Sequence, residues 1–241
     1  MFLLYFVPYF IHQKWGKENI MDFEKTIRGR RSIRKFKPDT VSEDMIQAVL
    51  DAARWAPSWG NTQPWSCYVV TGAALEKFKE ANRGKLMGGA PGSPEVTMPA
   101  AWSASLKQRY MDIGKSVLTA LAIPREDKQA RINYMAEMHA LFGAPCMIIF
   151  AFDKSVPEGY AMLDVGSLLQ TVCLTAHDKG LGTCILAASV TYSDLLRELL
   201  PIPQDQTIAI GAALGYPDDK AQVNCFERQR AAVNDFVRWV K

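Results

Sequence analysis

Runs of hydrophobic residues, broken by polar and turn-forming ones, predict a mixture of strands and helices along this chain. Two almost continuous apolar runs, 146–152 and 207–215, have the composition of buried strands, and 65–71 is predicted as a third strand. The run at 207–215 is rich in glycine and alanine, so another group could lie close to its backbone. Because strands and helices do not alternate regularly, the pattern favours an α+β fold over a doubly wound sheet.

Apolar residues at helical spacing predict seven helices. Asp22, Ser42 and Ser193 have side chains suited to helix N-caps, and Gly180 suits the position just after a helix. The widest apolar face belongs to 162–179, which is either a core helix or part of a subunit interface. The predicted helices start after Asp22, run from Ser42 to Pro57, and occupy 74–82, 106–121, 126–142, 162–179 and 194–200.

Two segments fall outside these elements. Glycine and proline are frequent from 83 to 105, which argues against regular structure and favours a lid, a binding loop or a disordered segment. Residues 2–11 are apolar but span only about half the length of a membrane helix, and they lack the features of a signal peptide. We therefore expect 1–21 to be an N-terminal extension, with a membrane tether as the alternative, and 22–241 to form one domain.

Composition narrows the class of protein. The chain has 241 residues, of which 49% are hydrophobic, enough for one large domain with its own core. Its five cysteines include no Cys-x-x-Cys pair and only three histidines are present, so no metal site is expected. Scattered cysteines in odd number indicate free thiols and a reducing, cytoplasmic compartment.

Two short basic segments lie nearly two hundred residues apart: Arg30–Arg34, with sequence Arg-Arg-Ser-Ile-Arg, and Arg228–Arg230, with sequence Arg-Gln-Arg. A guanidinium is a permanent cation whose planar donors match phosphate oxygens. The segments could form a solvated surface, a compact site for a small anion, or a nucleic-acid patch. The net charge of +3 is smaller than expected of a domain that binds a polyanion, so nucleic acid is the least favoured of the three.

The first basic segment also contains apolar residues at regular intervals. Ile27, Ile33 and Phe36 are expected to point into the protein, while Ser32 and Arg34 point the other way. This alternation predicts a pocket lined by the polar side chains.

Sequence signatures of several enzyme classes are absent. The chain has no Gly-x-Ser-x-Gly nucleophile elbow, no His-Glu-x-x-His zinc motif and no Walker phosphate loop. Gly180-Leu181-Gly182 lacks the third glycine of a dinucleotide-binding fingerprint and follows a helix instead of a strand. A basic pocket without catalytic side chains suits a cofactor that supplies its own reactivity.

Four groups of residues, taken in order, resemble the FMN-dependent nitroreductase family. The opening group is Arg30–Phe36 (Arg-Arg-Ser-Ile-Arg-Lys-Phe) followed by Ala53–Trp65, which carries Ala-Pro-Ser and Asn-x-Gln-Pro-Trp. Gly180–Cys184, Gly211–Pro217 and Arg228–Arg230 come next. The resemblance runs from about residue 23 to the end, and the order of the motifs is more specific than any one of them.

This resemblance implies an α+β sandwich whose central, mainly antiparallel sheet is flanked by helices, in an intertwined homodimer with two FMN sites at the subunit interface. The implied cofactor-binding residues are Arg30, Arg31, Ser32, Arg34, Pro57, Ser58, Asn61, Ile185, Leu186, Ala187, Ala188, Arg228 and Arg230.

The implied roles of these residues differ. Arg30, Ser32, Arg228 and Arg230 would hold the FMN phosphate, and Arg34 would stabilise the charge that develops at the N1–C2 edge on reduction. The residues of 57–61 would reach the flavin of the other subunit. A backbone N–H near Ala187 would point at flavin N5, although the alanines at 187 and 188 depart from the family pattern.

The implied activity is a ping-pong reaction in which NAD(P)H reduces FMN by hydride transfer to N5 and an electron-poor acceptor is reduced next. The acceptor would be a nitroaromatic, a quinone or a similar small aromatic molecule, and no side chain need act as a catalyst. A segment at 83–112, with Trp102 and Tyr110, is the candidate substrate lid, with a surface loop as the alternative. Dehalogenation, enone reduction and non-enzymatic FMN binding remain alternative functions of the same fold.

Overall fold

The computed structural model describes residues 22–241, and the predicted N-terminal extension 1–21 lies outside them. Its strands are β1 (Trp65–Thr71), β2 (Cys146–Asp153), β3 (Gly182–Leu186) and β4 (Gln206–Gly215). They form one sheet in the order β1-β2-β4-β3, and every neighbouring pair is antiparallel. The predicted α+β class with a central antiparallel sheet is confirmed.

The described residues also form eight α-helices. Asp22 and Ser42 act as the predicted N-caps, because their side chains accept hydrogen bonds from the backbone N–H groups of Lys25 and Met45. Gly180 follows the sixth helix with φ of +76°, as expected of a residue in that position. The helices are α1 (Phe23–Gly29), α2 (Glu43–Ala53), α3 (Gly72–Met87), α4 (Ala104–Ala120), α5 (Lys128–His139), α6 (Glu158–Asp178), α7 (Ser193–Leu199) and α8 (Val233–Phe236).

Several predicted helix ends are wrong, among them one end each of α2 and α7. Helix α2 stops at Ala53, four residues before Pro57, because a proline has no N–H for the carbonyl four positions earlier and its ring clashes with that carbonyl. Trp55 therefore lies outside the helix and is 79% exposed. Ser193 is the first residue of α7 instead of its cap, and its hydroxyl donates to the carbonyl of Ser93.

The predicted irregular segment 83–105 is partly helical, since α3 continues to Met87 and α4 begins at Ala104. Gly84 lies inside α3 although glycine costs a helix about 1 kcal/mol relative to alanine. Leu75 and Phe78 are fully buried where α3 packs on α5, α7 and the sheet, and this packing offsets the glycine. Residues 88–103 have neither helix nor strand.

Helices cover both faces of the sheet, and each face has its own hydrophobic core. On one side α2 and α6 pack on the sheet through Val49, Val172 and Leu214. On the other side α3 and α7 contribute Phe78 and Leu196. The apolar helix predicted at 162–179 is thus a core helix, while its exposed Leu163 leaves one face free.

Strand β3 was not predicted, and it brings the first basic segment to the sheet. Ser32 and Thr183 form a parallel bridge, in which the Ile33 N–H donates to the Thr183 carbonyl at 2.9 Å. Ile33 and Phe36 are buried, as predicted. The expectation for Ile27 is wrong: it is 45% exposed, because Thr26 occupies the inward face of α1.

Candidate functional site

The fold brings the two basic segments into direct contact. The Arg228 guanidinium donates to the carbonyls of Arg28 and Arg30 at the end of α1. In the opposite direction, the Arg31 guanidinium donates to the Phe226 carbonyl. A cation beside the last carbonyls of a helix is favourable. These bonds therefore hold the two basic segments together.

Two residues between the segments complete this connection. The guanidinium groups of Arg31 and Arg34 lie over the Phe226 ring. Their central carbons are 5.4 Å and 6.0 Å from the ring centroid, respectively. The buried Asn224 side chain accepts from the Arg34 backbone N–H at 2.7 Å and donates to the Lys35 carbonyl at 2.7 Å. Each of its two bonds to the first segment fixes the backbone from which the arginine side chains project.

The arginine cluster concentrates positive charge, and Asp219, which lines the adjoining cavity, forms its ion pair with Lys37 instead. Within residues 22–241 no ion pair joins any of the predicted site arginines to a carboxylate. Burial lowers the pKa of Arg228, and the charges of Arg31, Arg230 and Arg30 lower it further. Groups that repel each other in this way are stabilised by a bound anion.

A cavity of about 300 Å³ opens beside this cluster. Arg30, Arg31 and Thr183 line it, together with His177 from the end of α6. Burial lowers the pKa of His177, and the neighbouring Arg30 and Arg228 lower it further, against the opposing charge of Asp178. The His177 ring sits so close to Gly29 that a side chain there would overlap it.

The predicted flavin-facing residues lie at the end of β3 and in the short 3-10 helix that follows it, Ala187–Ser189. Ile185 is 42% exposed and Ala187 is exposed, whereas Leu186 and Ala188 are buried. Only alternate residues of this segment can therefore present side chains to a ligand.

The loop Pro57–Asn61, predicted to reach the flavin of the other subunit, lies against α6 of its own subunit. The Trp59 N–H donates to Asp164 Oδ1 at 3.0 Å, and Ser58 Oγ accepts from the Gln63 N–H at 2.9 Å. Gly60, Asn61 and Gln63 all have positive φ, which costs energy at the two residues that are not glycine. The buried Asp164 fixes one end of this strained loop.

The segment predicted as a lid is anchored in its first part and exposed in its second. The Ser93 N–H donates to the Thr191 carbonyl at 2.7 Å, and Glu95 pairs with Arg197 at 2.6 Å. Beyond this anchor, the rings of Trp102 and Tyr110 stack with centroids 6.4 Å apart, and both are exposed. A role in substrate contact for these two residues stays a prediction.

Sequence reasoning missed several residues that shape the site. Phe226 and Asn224 stand next to the second basic segment and could have been noticed there. His177, Asp164 and Ser189 gave no signal, because a buried or half-buried polar residue in an apolar element is not distinctive in one sequence. In residues 22–241 no group of histidine, cysteine or acidic side chains is placed to bind a metal. None of the described helices is long and apolar enough to cross a membrane.

The fold and the arginine cluster define a class of α+β proteins that hold an anionic cofactor at the edge of an antiparallel sheet. A family model described as the Nitroreductase family matches residues 27–216. A 4-nitrobenzoate reductase of Pseudomonas putida is 31% identical over 91% of this chain and 96% of its own length. The chain belongs to the nitroreductase family.

Solved structures agree with this assignment. The FMN-dependent nitroreductase NfnB of Mycobacterium smegmatis, solved in complex with NADPH, is 30% identical with a TM-score of 0.85. The match covers 90% of this chain and 97% of that one. The FMN- and NADPH-dependent NfnB of a Sphigopyxis strain superimposes with a TM-score of 0.87 at 27% identity, over 92% of this chain and all of the other.

Proposed function

We propose that this protein is an NAD(P)H-dependent FMN oxidoreductase that reduces nitroaromatic or quinone-like acceptors as a cytoplasmic homodimer. The observation that carries the proposal is the cluster of Arg30, Arg31, Arg228 and Arg230, whose charges lack carboxylate partners among the described residues. A flavin phosphate fits the cluster because its oxygens match guanidinium donors. The named FMN- and NADPH-dependent relatives support this choice of anion and of reductant.

The arginines have different roles in binding the phosphate. Arg31 and Arg228 tie the walls of the pocket together, since both donate to backbone carbonyls. Arg30, Ser32 and Arg230 would contact the phosphate itself. When bound, FMN takes electrons from the nicotinamide and gives them to the acceptor, while the protein side chains bind and orient it.

The second subunit would complete each site with the loop that contains Ser58 and Asn61. Exposed aromatic residues support an interface there, because the Trp59 and Tyr160 rings lie 5.9 Å apart on the free face of α6. A cytoplasmic location is supported by the cysteines, all five of which have free thiols.

The test is an anaerobic titration of the FMN-reconstituted protein with NADPH, and in parallel with NADH. We expect the visible absorption band of oxidised flavin to bleach, and to return when 4-nitrobenzoate is added. Bleaching that neither a nitroaromatic nor a quinone reverses would indicate another flavin reaction. Flavin that neither nucleotide bleaches would leave a non-enzymatic FMN-binding protein, and failure to take up FMN would overturn the whole proposal.

A further inference from the structure

The short 3-10 helix after β3 is fixed from its buried side by hydrogen bonds from its own Ser189 and from Asn82 on α3. Ser189 is only 1% exposed, and its hydroxyl donates to the Leu186 carbonyl at 2.6 Å. The Asn82 side chain, on α3, donates to the Ala188 carbonyl at 3.0 Å and to the His139 carbonyl at 2.7 Å. These bonds fix the backbone of a turn whose outer residue, Ala187, is exposed.

The Ser189 hydroxyl needs space, and β4 provides it through Gly211. A side chain at this position would overlap Ser189 Oγ and approach Ile149 Cδ1 at 2.8 Å. Gly211 pairs with Leu186 in the sheet, so the glycine lies directly beside the peptide that Ser189 contacts. The hydroxyl is thus built into the fold instead of being an incidental surface contact.

The bond from Ser189 determines where one backbone N–H points. The Leu186 carbonyl and the Ala187 N–H belong to the same planar trans peptide, in which the C=O and the N–H point in opposite directions. Because Ser189 holds the carbonyl on the buried side, the N–H is directed to the exposed side, where Ile185 is also accessible. Ala187 is the first residue of the 3-10 helix, a position whose N–H has no partner within the helix.

The family resemblance implies that a backbone N–H near Ala187 points at flavin N5. We propose that Ser189 is the positioning residue that orients this N–H and thereby sets the reduction potential of the flavin. The inference rests on the proposed function. A hydrogen bond to a carbonyl polarises the rest of its peptide, so Ser189 also makes this N–H a stronger donor. Oxidised N5 accepts a hydrogen bond, whereas reduced N5 carries a hydrogen of its own, so a fixed donor favours the oxidised form.

The test compares Ser189→Ala with the wild type, both loaded with FMN, by measuring the midpoint potential against a reference dye without any nicotinamide. Loss of the hydroxyl should shift the equilibrium toward reduced flavin by about tenfold, which for a two-electron couple is about 30 mV toward more positive potential. The resonance of ¹⁵N-labelled N5 should move in the same variant, because its hydrogen bond is weakened.

Thr191→Val is the matched control. The Thr191 hydroxyl donates to the Ala187 carbonyl at 3.2 Å, on the next peptide, so its loss removes a similar bond without affecting the Ala187 N–H. We expect its potential and its N5 resonance to equal those of the wild type.

The outcomes separate the two proposals. Wild-type protein that binds FMN, with an unchanged potential and N5 resonance in Ser189→Ala, would overturn the role of Ser189 and leave the proposed function intact. Equal shifts in Ser189→Ala and Thr191→Val would also overturn it, because they would show a general loosening of the turn. Wild-type protein that takes up no FMN would overturn both proposals.

Discussion

Arg228 and Arg230 stand two positions apart in the chain but have different surroundings. The Arg228 guanidinium is half-buried and bonded to the carbonyls of Arg28 and Arg30. The Arg230 side chain is exposed, with one hydrogen bond to the neighbouring Gln229 carbonyl. The first therefore belongs to the frame of the pocket, and the second is available to a ligand.

Replacing these two arginines should separate the frame from the ligand contact. Arg230→Ala should weaken FMN binding by about 1–3 kcal/mol, the scale for losing a charged hydrogen-bond partner, and should leave the melting temperature of the apoprotein unchanged. Arg228→Ala should lower both the affinity for FMN and the melting temperature of the apoprotein. Fluorescence titration of FMN and thermal unfolding measure the two effects.

Arg125→Ala is the control for the change in net charge, because Arg125 is exposed and lies outside the site. Equal flavin affinity in Arg230→Ala and Arg125→Ala would argue against a phosphate contact by Arg230. An unchanged melting temperature in Arg228→Ala would contradict its role in the frame.

At the scale of elements, the irregular segment 88–103 has a charged cluster among its anchors. Glu95 accepts from Arg197 at 2.6 and 2.9 Å and from the Ile208 N–H at 2.8 Å. Arg197 also donates to the Gln206 carbonyl at 2.7 Å, which connects α7 with the start of β4. Because both side chains are mostly buried, removing either one leaves the other without its partner.

Glu95→Ala should therefore lower the free energy of unfolding by about 3 kcal/mol, measured by urea denaturation. Although burial raises the pKa of Glu95, the hydrogen bonds from Arg197 and Ile208 outweigh it and hold that pKa below 4.5. The stabilisation should be complete above that ordinary value and be lost as the pH falls through the lower folded value.

The control is Asp51→Ala, which removes an exposed carboxylate from its surface pair with Arg54. If Glu95→Ala lowers the free energy of unfolding no more than this control does, the anchoring role of Glu95 is contradicted.

Local patterns predicted most elements, and the exceptions depend on distant contacts. Strand β1 was predicted with the correct ends and β2 to within one residue, because each is a run of apolar residues bounded by turns. Strand β3 was missed, since its five residues form a strand only between β4 and the Ser32 segment. The arginines of the candidate site carried a signal in the sequence, whereas His177 and Ser189 depend on neighbours from other elements.

At the scale of the whole molecule, several large apolar side chains of the described chain are exposed to solvent. The C-terminal residues Val233, Phe236, Trp239 and Val240 are each at least 59% exposed. Leu163 on α6 is also exposed at 68%. Apolar surface of this extent is typical of an interface with another protein chain, which agrees with the proposed homodimer.

Deleting residues 232–241 should weaken the dimer while keeping both basic segments. We expect the truncated protein to sediment as a monomer at concentrations where the full chain is a dimer, because the four apolar residues lose their contacts. Arg238→Ala, which changes an exposed charge in the same tail, should remain dimeric. A truncated chain that dimerises as tightly as the full one would show that the tail is not part of the interface.

The contacts that close the arginine cluster have a consequence for biosynthesis. They join positions 195, 190 and 198 residues apart, so the pocket cannot exist until almost the entire chain has left the ribosome. Closing so long a loop costs conformational entropy, and this cost is offset only when the rest of the fold has formed. The pocket is therefore one of the last parts of the protein to form. FMN would therefore bind only after synthesis is complete. Chains that end before Asn224 through premature termination would bind no FMN and would be colourless.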